Sequence, residues 1–456
     1  MARNAVTPFR STLMVLVAVV ALSTLQSCSL MLDFDECASD EDCTSTGQCV
    51  NQVCQEINRE SVSSFIVDDT TWTADTVYVL EELIFVIAPA TLTIEPGTTI
   101  LGEKDSALIT QAGAKLEAEG TRDAPIVFTS AQPEGRRRAG DWGGLALIGQ
   151  AEINRPDMTL RIREDEDEDR VGGTDDTSSC GTLKYVRSEF GGGLVDGQKA
   201  LNGITFAACG SGTEVDYIQA HLGDDDGIEI FGGTMDIRHA VASRPQGDGF
   251  DLDVGWRGTG QFLAVQMDVR GEEAFEIENR GEEPTAEPQT DAQIYNYTII
   301  GAEDSTDLQR GVIFKSGGLS LLSHGIVMGT DTTGVHIEGT ESGEHAASED
   351  ILIHDTLFYD VGPDGTEPFT IDEDAAASEF DPDTFFGDDA FNNLFGEDPG
   401  IESPYDLGNP SWKPTAEHTT GIDAPPEGFD LTAVYRGAFS PSADPWTEGW
   451  TAYPKN

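Results

Sequence analysis

The sequence predicts an all-β chain folded as a right-handed parallel β-helix. Three observations carry this: short apolar strands punctuated by glycine, one phrase repeated at a period near 23 residues, and a second strand at a fixed offset from it. Segments such as Leu92-Thr93-Ile94-Glu95-Pro96-Gly97 and Pro125-Ile126-Val127-Phe128-Thr129 have strand patterning between turn residues, and no long stretch keeps a helical period. Fifty glycines supply the many corners. The phrase reads Asn202-Gly203-Ile204-Thr205-Phe206, Asp226-Gly227-Ile228-Glu229-Ile230, Asp248-Gly249-Phe250-Asp251-Leu252, Glu273-Ala274-Phe275-Glu276-Ile277, Arg310-Gly311-Val312-Ile313-Phe314 and Thr333-Gly334-Val335-His336-Ile337. Its second positions, 203, 227, 249, 274, 311 and 334, are spaced by 24, 22, 25, 37 and 23 residues, so one interval carries an insertion. Val215, Ile237 and Phe262 each lie 12 residues before a second position and mark the companion strand. A β-propeller is the alternative, but its blades need about 40 residues.

In a β-helix each coil stacks about 4.8 Å above the last. The pairs Ile204/Phe206, Ile228/Ile230, Phe250/Leu252, Phe275/Ile277, Val312/Phe314 and Val335/Ile337 then fill the interior, while Thr205, Glu229, Asp251, Glu276, Ile313 and His336 face outward. Trp142, in Gly140-Asp141-Trp142-Gly143-Gly144, reads as a packing anchor at a tight corner. His324, His336 and His354 read as surface or edge residues.

The first 27 residues read as a signal peptide: Arg3 and Arg10, the apolar run Leu13–Leu22, then Leu25-Gln26-Ser27-Cys28. That run is short of the roughly 20 residues a bilayer span requires. Residues 28–60 form a small cysteine-rich module with Cys37, Cys43, Cys49 and Cys54, too small to bury a core. Two disulfides hold it in the favoured reading, and zinc is the alternative. Cys180 and Cys209 complete an even set of six, as a bridge or as buried free thiols. The β-helix covers 61–360. Within it, residues 155–180, with Glu164-Asp165-Glu166-Asp167-Glu168-Asp169, read as a solvated acidic loop. Residues 361–456, with late prolines and clustered aromatics, read as a cap or side cover, in which Asp388 and Asp389 cap a short helix bearing Phe391, Leu394 and Phe395.

With 83 acidic against 26 basic residues, a formal charge of −57 excludes nucleic acid and anionic membrane surfaces as natural partners and favours cations. The strongest constellation is the outward stack Glu229, Asp251 and Glu276, bordered by corner acids that include Asp226, Asp248 and Glu273. Like charges at that spacing repel by roughly 3 kcal/mol per neighbour at an effective dielectric of about 20. Calcium, which takes six to eight oxygen ligands in flexible geometry, offsets such repulsion. Raised pKa values or hydration of a plain acidic surface are the alternatives, and catalytic acids a third. The chain has no HExxH pair, G-x-S-x-G elbow or phosphate-binding glycine loop.

The segment Leu25-Gln26-Ser27-Cys28 also resembles the lipobox of bacterial lipoproteins, which implies lipidation at Cys28. Ser29 lacks the aspartate associated with inner-membrane retention, so the outer membrane is favoured, on its periplasmic or surface face. Leu92–Gly97, Pro125–Ser130, Gly140–Leu145, Gly212–Tyr217, Asp225–Gly227 with Phe231–Gly233, and Tyr435–Phe439 with Gly449–Thr451 resemble phrases of bacterial exported β-helix proteins, many of them lipoproteins of uncharacterised function. The resemblance implies a lipid-anchored envelope protein with a β-helix binding or structural module, for a cell-surface glycan or an envelope protein. It brings no catalytic residues. The second reading is a calcium-dependent polysaccharide lyase or a glycoside hydrolase, as on similar scaffolds. For a lyase, Arg244, Arg257, Arg270 and Lys315 are the candidate bases.

Overall fold

A computed structural model describes residues 47–50, 53–56, 58–160, 170–195, 199–303, 305, 308–378, 380–415, 418 and 421–456. Residues 1–27, expected to be a signal peptide, Cys28, Cys37, Cys43 and the acidic run 164–169 lie outside the described residues. The chain divides into two compact units, Met1–Arg59 and Glu60–Asn456. In the first, Gly47–Val50 and Val53–Glu56 pair antiparallel, with Cys49 and Cys54 as backbone partners.

The second unit is a parallel β-helix with three faces. On the third face ten strands, from Leu83–Val86 to Phe369–Ile371, pair in parallel from one coil to the next. The repeated phrases sit here, in the register Ile204↔Ile228↔Phe250↔Phe275↔Val312↔Val335. All twelve interior positions named from the phrase are buried. Alternation puts one side of each strand into a shared core, and the glycine before it fits a narrow corner. A Cβ at Gly203 would stand 2.7 Å from the Gly227 carbonyl oxygen of the next coil.

The first and second faces are joined within single strands. In Gly181–Glu189, Thr182–Lys184 pair with Glu214–Asp216, and Val186–Glu189 pair with Ile218–His221. Between them Tyr185 and Tyr217 turn the chain with φ of 50° and 56°. His239, Phe262 and Asn296 do the same on later coils. A left-handed non-glycine residue costs of order 1–3 kcal/mol. The rings of Tyr185, Tyr217, His239 and Phe262 stack with centroids 4.5, 4.3 and 4.6 Å apart, which helps offset that cost. Phe262 therefore belongs to the corner. Gly260 is the residue in register with Val215 and Ile237, because the companion strand begins at Thr259 and brings glycine into that place.

Cys180 and Cys209 form a disulfide across 29 residues, with Cα atoms 5.7 Å apart and both residues buried. Trp142 is buried, donates its indole N–H to the Glu189 carbonyl at 2.9 Å and stacks on Phe128. The flanks of the acidic insertion are packed, contrary to the solvated-loop expectation: Met158, Leu160 and Val171 join Ile109, Ile148 and Val254 in an apolar cluster.

The last residues run back along the outside of the β-helix. His324 meets the Asp423 carbonyl, Gln261 the Asp430 backbone, Gln219 the Ala452 backbone and His221 the Pro454 carbonyl, so rising residue number meets falling coil number. Trp446 and Trp450 set their edges against the Tyr217 ring. This cover buries His324, which the sequence placed at the surface. Phe369, Phe380, Phe385, Phe386 and Phe391 cluster at the far end. Asp388 caps only a 3₁₀ turn, Asp389–Phe391, which Asn392 stops at φ 52°; Leu394–Phe395 is a strand.

Candidate metal centre

The third face brings the predicted acids together. Thr205, Glu229, Asp251, Glu276, Ile313 and His336 follow one another coil by coil in register. Asp226, Asp248 and Glu273 stand three residues before Glu229, Asp251 and Glu276, so three consecutive coils each present two carboxylates. Oxygens of Asp226, Glu229 and Asp251 all lie within 4.8 Å of one another, and so do those of Asp248, Glu273 and Glu276. The first group takes one corner acid and two strand acids, the second two corner acids and one strand acid.

This face is not an open solvated surface. Thr205 and Ile313, which flank the three acids in the row, are 0% and 3% exposed, and Glu229, Asp248 and Glu273 are buried. Asp226 Oδ1 accepts the Asp248 backbone N–H at 2.7 Å, and Asp248 Oδ1 accepts that of Glu273 at 2.8 Å. At the first end the Asn202 amide donates to Glu229 and, at 3.2 Å, to Thr205 Oγ1. At the other end Arg310 pairs with Glu273, and Lys315 Nζ lies 2.6 Å from Glu276 and 3.4 Å from Glu278. Among the described residues, Arg310 and Lys315 are thus the two cations paired with the six carboxylates.

The electrostatics follow. Burial, then Asp225, pushes Asp226 up to about 8. Burial, then Asp226, raises Asp248; burial, then Asp253, raises Asp251. Burial raises Glu276 against the opposing pull of Lys315. Burial works against the Lys315 charge, but Glu276 and Glu278 outweigh it and hold the ammonium protonated. Asp251 Oδ1 and Asp253 Oδ1 are shut off from solvent with no hydrogen-bond partner. Asp253 was missed from sequence. It sits two residues after Asp251, beside a register shift between Phe231 and Gly233, and the Asp251-Leu252-Asp253 alternation was its only signal.

The other basic residues are placed elsewhere. Arg244 is paired with Asp268 at 2.9 Å and Arg257 with Asp176 at 3.1 Å, while Arg270 lines a separate pocket beside Asp224.

The family model for the pectate-lyase-like beta helix domain matches residues 64–392. The chain belongs to that family. No curated protein and no solved structure matches the chain. In this pectate-lyase-like β-helix the acidic array lies inside the matched segment, whereas the returning segment with Trp446 and Trp450 lies beyond it.

Proposed function

We propose that the chain is an envelope protein anchored to the outer membrane through lipidated Cys28, whose β-helix is a calcium-holding binding or structural module rather than an enzyme. One observation carries the calcium reading: Asp251 Oδ1 is buried without a hydrogen-bond partner, and Asp251 belongs to a group of three converging carboxylates with a second such group beside it. An enclosed oxygen with nothing to accept from costs folding free energy, and a hard dication removes that cost. The donor set fits, since every candidate ligand, Asp226, Glu229, Asp251, Asp248, Glu273 and Glu276, offers carboxylate oxygen. Bound calcium would offset part of the array's negative charge and give oxygen-rich ligands such as glycans a cation to coordinate.

The disposition of the bases favours binding over a lyase. A lyase needs a base free to take a proton beside its calcium. Lys315 is held protonated by Glu276 and Glu278, Arg244 and Arg257 are engaged with Asp268 and Asp176, and Arg270 lines a pocket that none of the six array acids enters.

Glycan arrays and polysaccharide-degradation assays, each with and without calcium, test the functional class. Calcium-dependent retention of a glycan with no cleavage supports the reading, and release of unsaturated oligosaccharides replaces it with the lyase. Labelling with an alkyne fatty acid tests the anchor: wild type is tagged and Cys28→Ala is not, whereas equal labelling of both removes the anchor.

A further inference from the structure

A second charged feature has the opposite sign. A cavity of about 400 Å³ is lined by Arg137, Arg138, Arg244, Arg270 and Lys455, with Asp224 and Asp268 the acids in its wall. In a chain with only 26 basic residues among 83 acids, five cations in one cavity run against the composition. Three separate stretches supply them. Arg137 and Arg138 follow a second-face strand, Arg244 and Arg270 come from corners of consecutive coils, and Lys455 comes from the returning segment.

Their partners do not account for them. Arg244 is paired with Asp268, and Arg137 Nε donates to the Gln132 carbonyl at 3.1 Å. Among the described residues, the side chains of Arg138, Arg270 and Lys455 have no hydrogen bond or ion pair, although Asp224 shares their pocket. Gathering like charges in a cleft raises their mutual repulsion, and a concave wall concentrates the field on whatever enters. Five cations against two carboxylates leave an excess of three, more than a single monoanion neutralises. Guanidinium groups present paired N–H donors that match the oxygens of phosphate and sulfate.

We propose that this pocket binds a doubly charged tetrahedral oxyanion, the phosphate or sulfate group of a small molecule or glycan. The site is independent of the calcium reading, because its cations come from other residues than the acidic array and need no metal.

The test is calorimetric titration of the full chain, freed of metal and chelator by gel filtration, with inorganic phosphate, sulfate, glucose 6-phosphate and glucuronate at constant ionic strength. Phosphate, sulfate and glucose 6-phosphate should bind, with glucuronate about tenfold weaker or more. The double variant Arg138→Gln/Arg270→Gln should weaken phosphate by about tenfold or more while leaving the thermal midpoint close to wild type, since no hydrogen bond or close ion pair is lost and only the longer-range attraction of Arg270 for Asp224 goes. Lys104→Gln, at an exposed lysine outside the pocket, should bind as wild type. No phosphate binding at millimolar concentration, undiminished binding by the double variant, or equal binding of glucuronate overturns the proposal.

Discussion

Asp226 Oδ1 accepts the backbone N–H of Asp248 at 2.7 Å, and Asp248 repeats the contact to Glu273 at 2.8 Å, so these corner acids tie successive coils together as well as bordering the array. Loss of a buried acceptor of this kind costs about 1–3 kcal/mol. Asp248→Ala should lose that much in urea unfolding of the metal-free protein. Asp248→Asn keeps an acceptor oxygen and removes a crowded charge, so it should match or exceed wild type. Equal losses from both would remove the coil-tying role.

The crowded acids also set a pH dependence. Acids whose folded pKa is raised bind more protons folded than unfolded, so stability falls as pH rises through that interval. Asp226, pushed up to about 8, places part of this fall between pH 6.5 and 8. Burial first of all holds His221 at about 4 and lowers His324, His336 and His354, so their contribution is complete above the ordinary histidine pKa near 6.5. Metal-free thermal midpoints should therefore drop from pH 6.5 to 8, and calcium should cancel the drop, because ligands must be ionised to bind. A metal-free midpoint that rises over this range contradicts the electrostatic assignment.

The Cys180–Cys209 bridge closes a 29-residue separation that contains the join of a first-face strand to the third face. Chain-entropy arguments value a loop of that size at about 3–4 kcal/mol. Cys180→Ala/Cys209→Ala should be less stable by about that amount in denaturant, with the calcium response retained. Native peptide mapping should recover the bridge, and two alkylatable thiols at these positions would reject it.

Trp450 is fully buried, donates its indole N–H to the Trp446 carbonyl at 2.8 Å and stands edge-on to Tyr185 and Tyr217. Trp450→Ala should cost about 3–5 kcal/mol. Hydrogen exchange should show the loss first at the Ala452 amide, which Gln219 accepts at 3.0 Å, while third-face amides stay protected. Uniform deprotection would mean that the returning segment is integral to every coil.

The third face was legible because its signal is periodic. Phe250-Asp251-Leu252 alternates as a strand must, and its spacing to Ile228-Glu229-Ile230 and Phe275-Glu276-Ile277 fixed register and the acidic stack together. The long two-face strands were less legible. Tyr185, Tyr217 and His239 lie inside runs of strand formers, and only the turn at φ 45–56° makes them corners. Their recurring pattern, Lys184-Tyr185-Val186, Asp216-Tyr217-Ile218 and Arg238-His239-Ala240, was the available signal. The burial of His324 depends on a distant segment without the repeat, the stretch holding Asp423, so no local pattern encoded it. The basic pocket likewise joins Arg138 to Lys455 across most of the chain.

The central claim is that the array holds calcium through Asp251. Thermal unfolding of wild type and Asp251→Asn in metal-free buffer, in calcium and in sodium chloride of matched ionic strength tests it most directly. Stabilisation by a folded-state ligand follows RT ln(1 + [L]/Kd), about 2.7 kcal/mol at one hundred times Kd, whereas screening does not distinguish sodium from calcium at equal ionic strength. The account predicts a calcium-specific rise in the wild-type midpoint, and in Asp251→Asn a higher metal-free midpoint with most of that rise gone. A wild-type response no larger in calcium than in sodium, or an equal calcium response from Asp251→Asn, would contradict it.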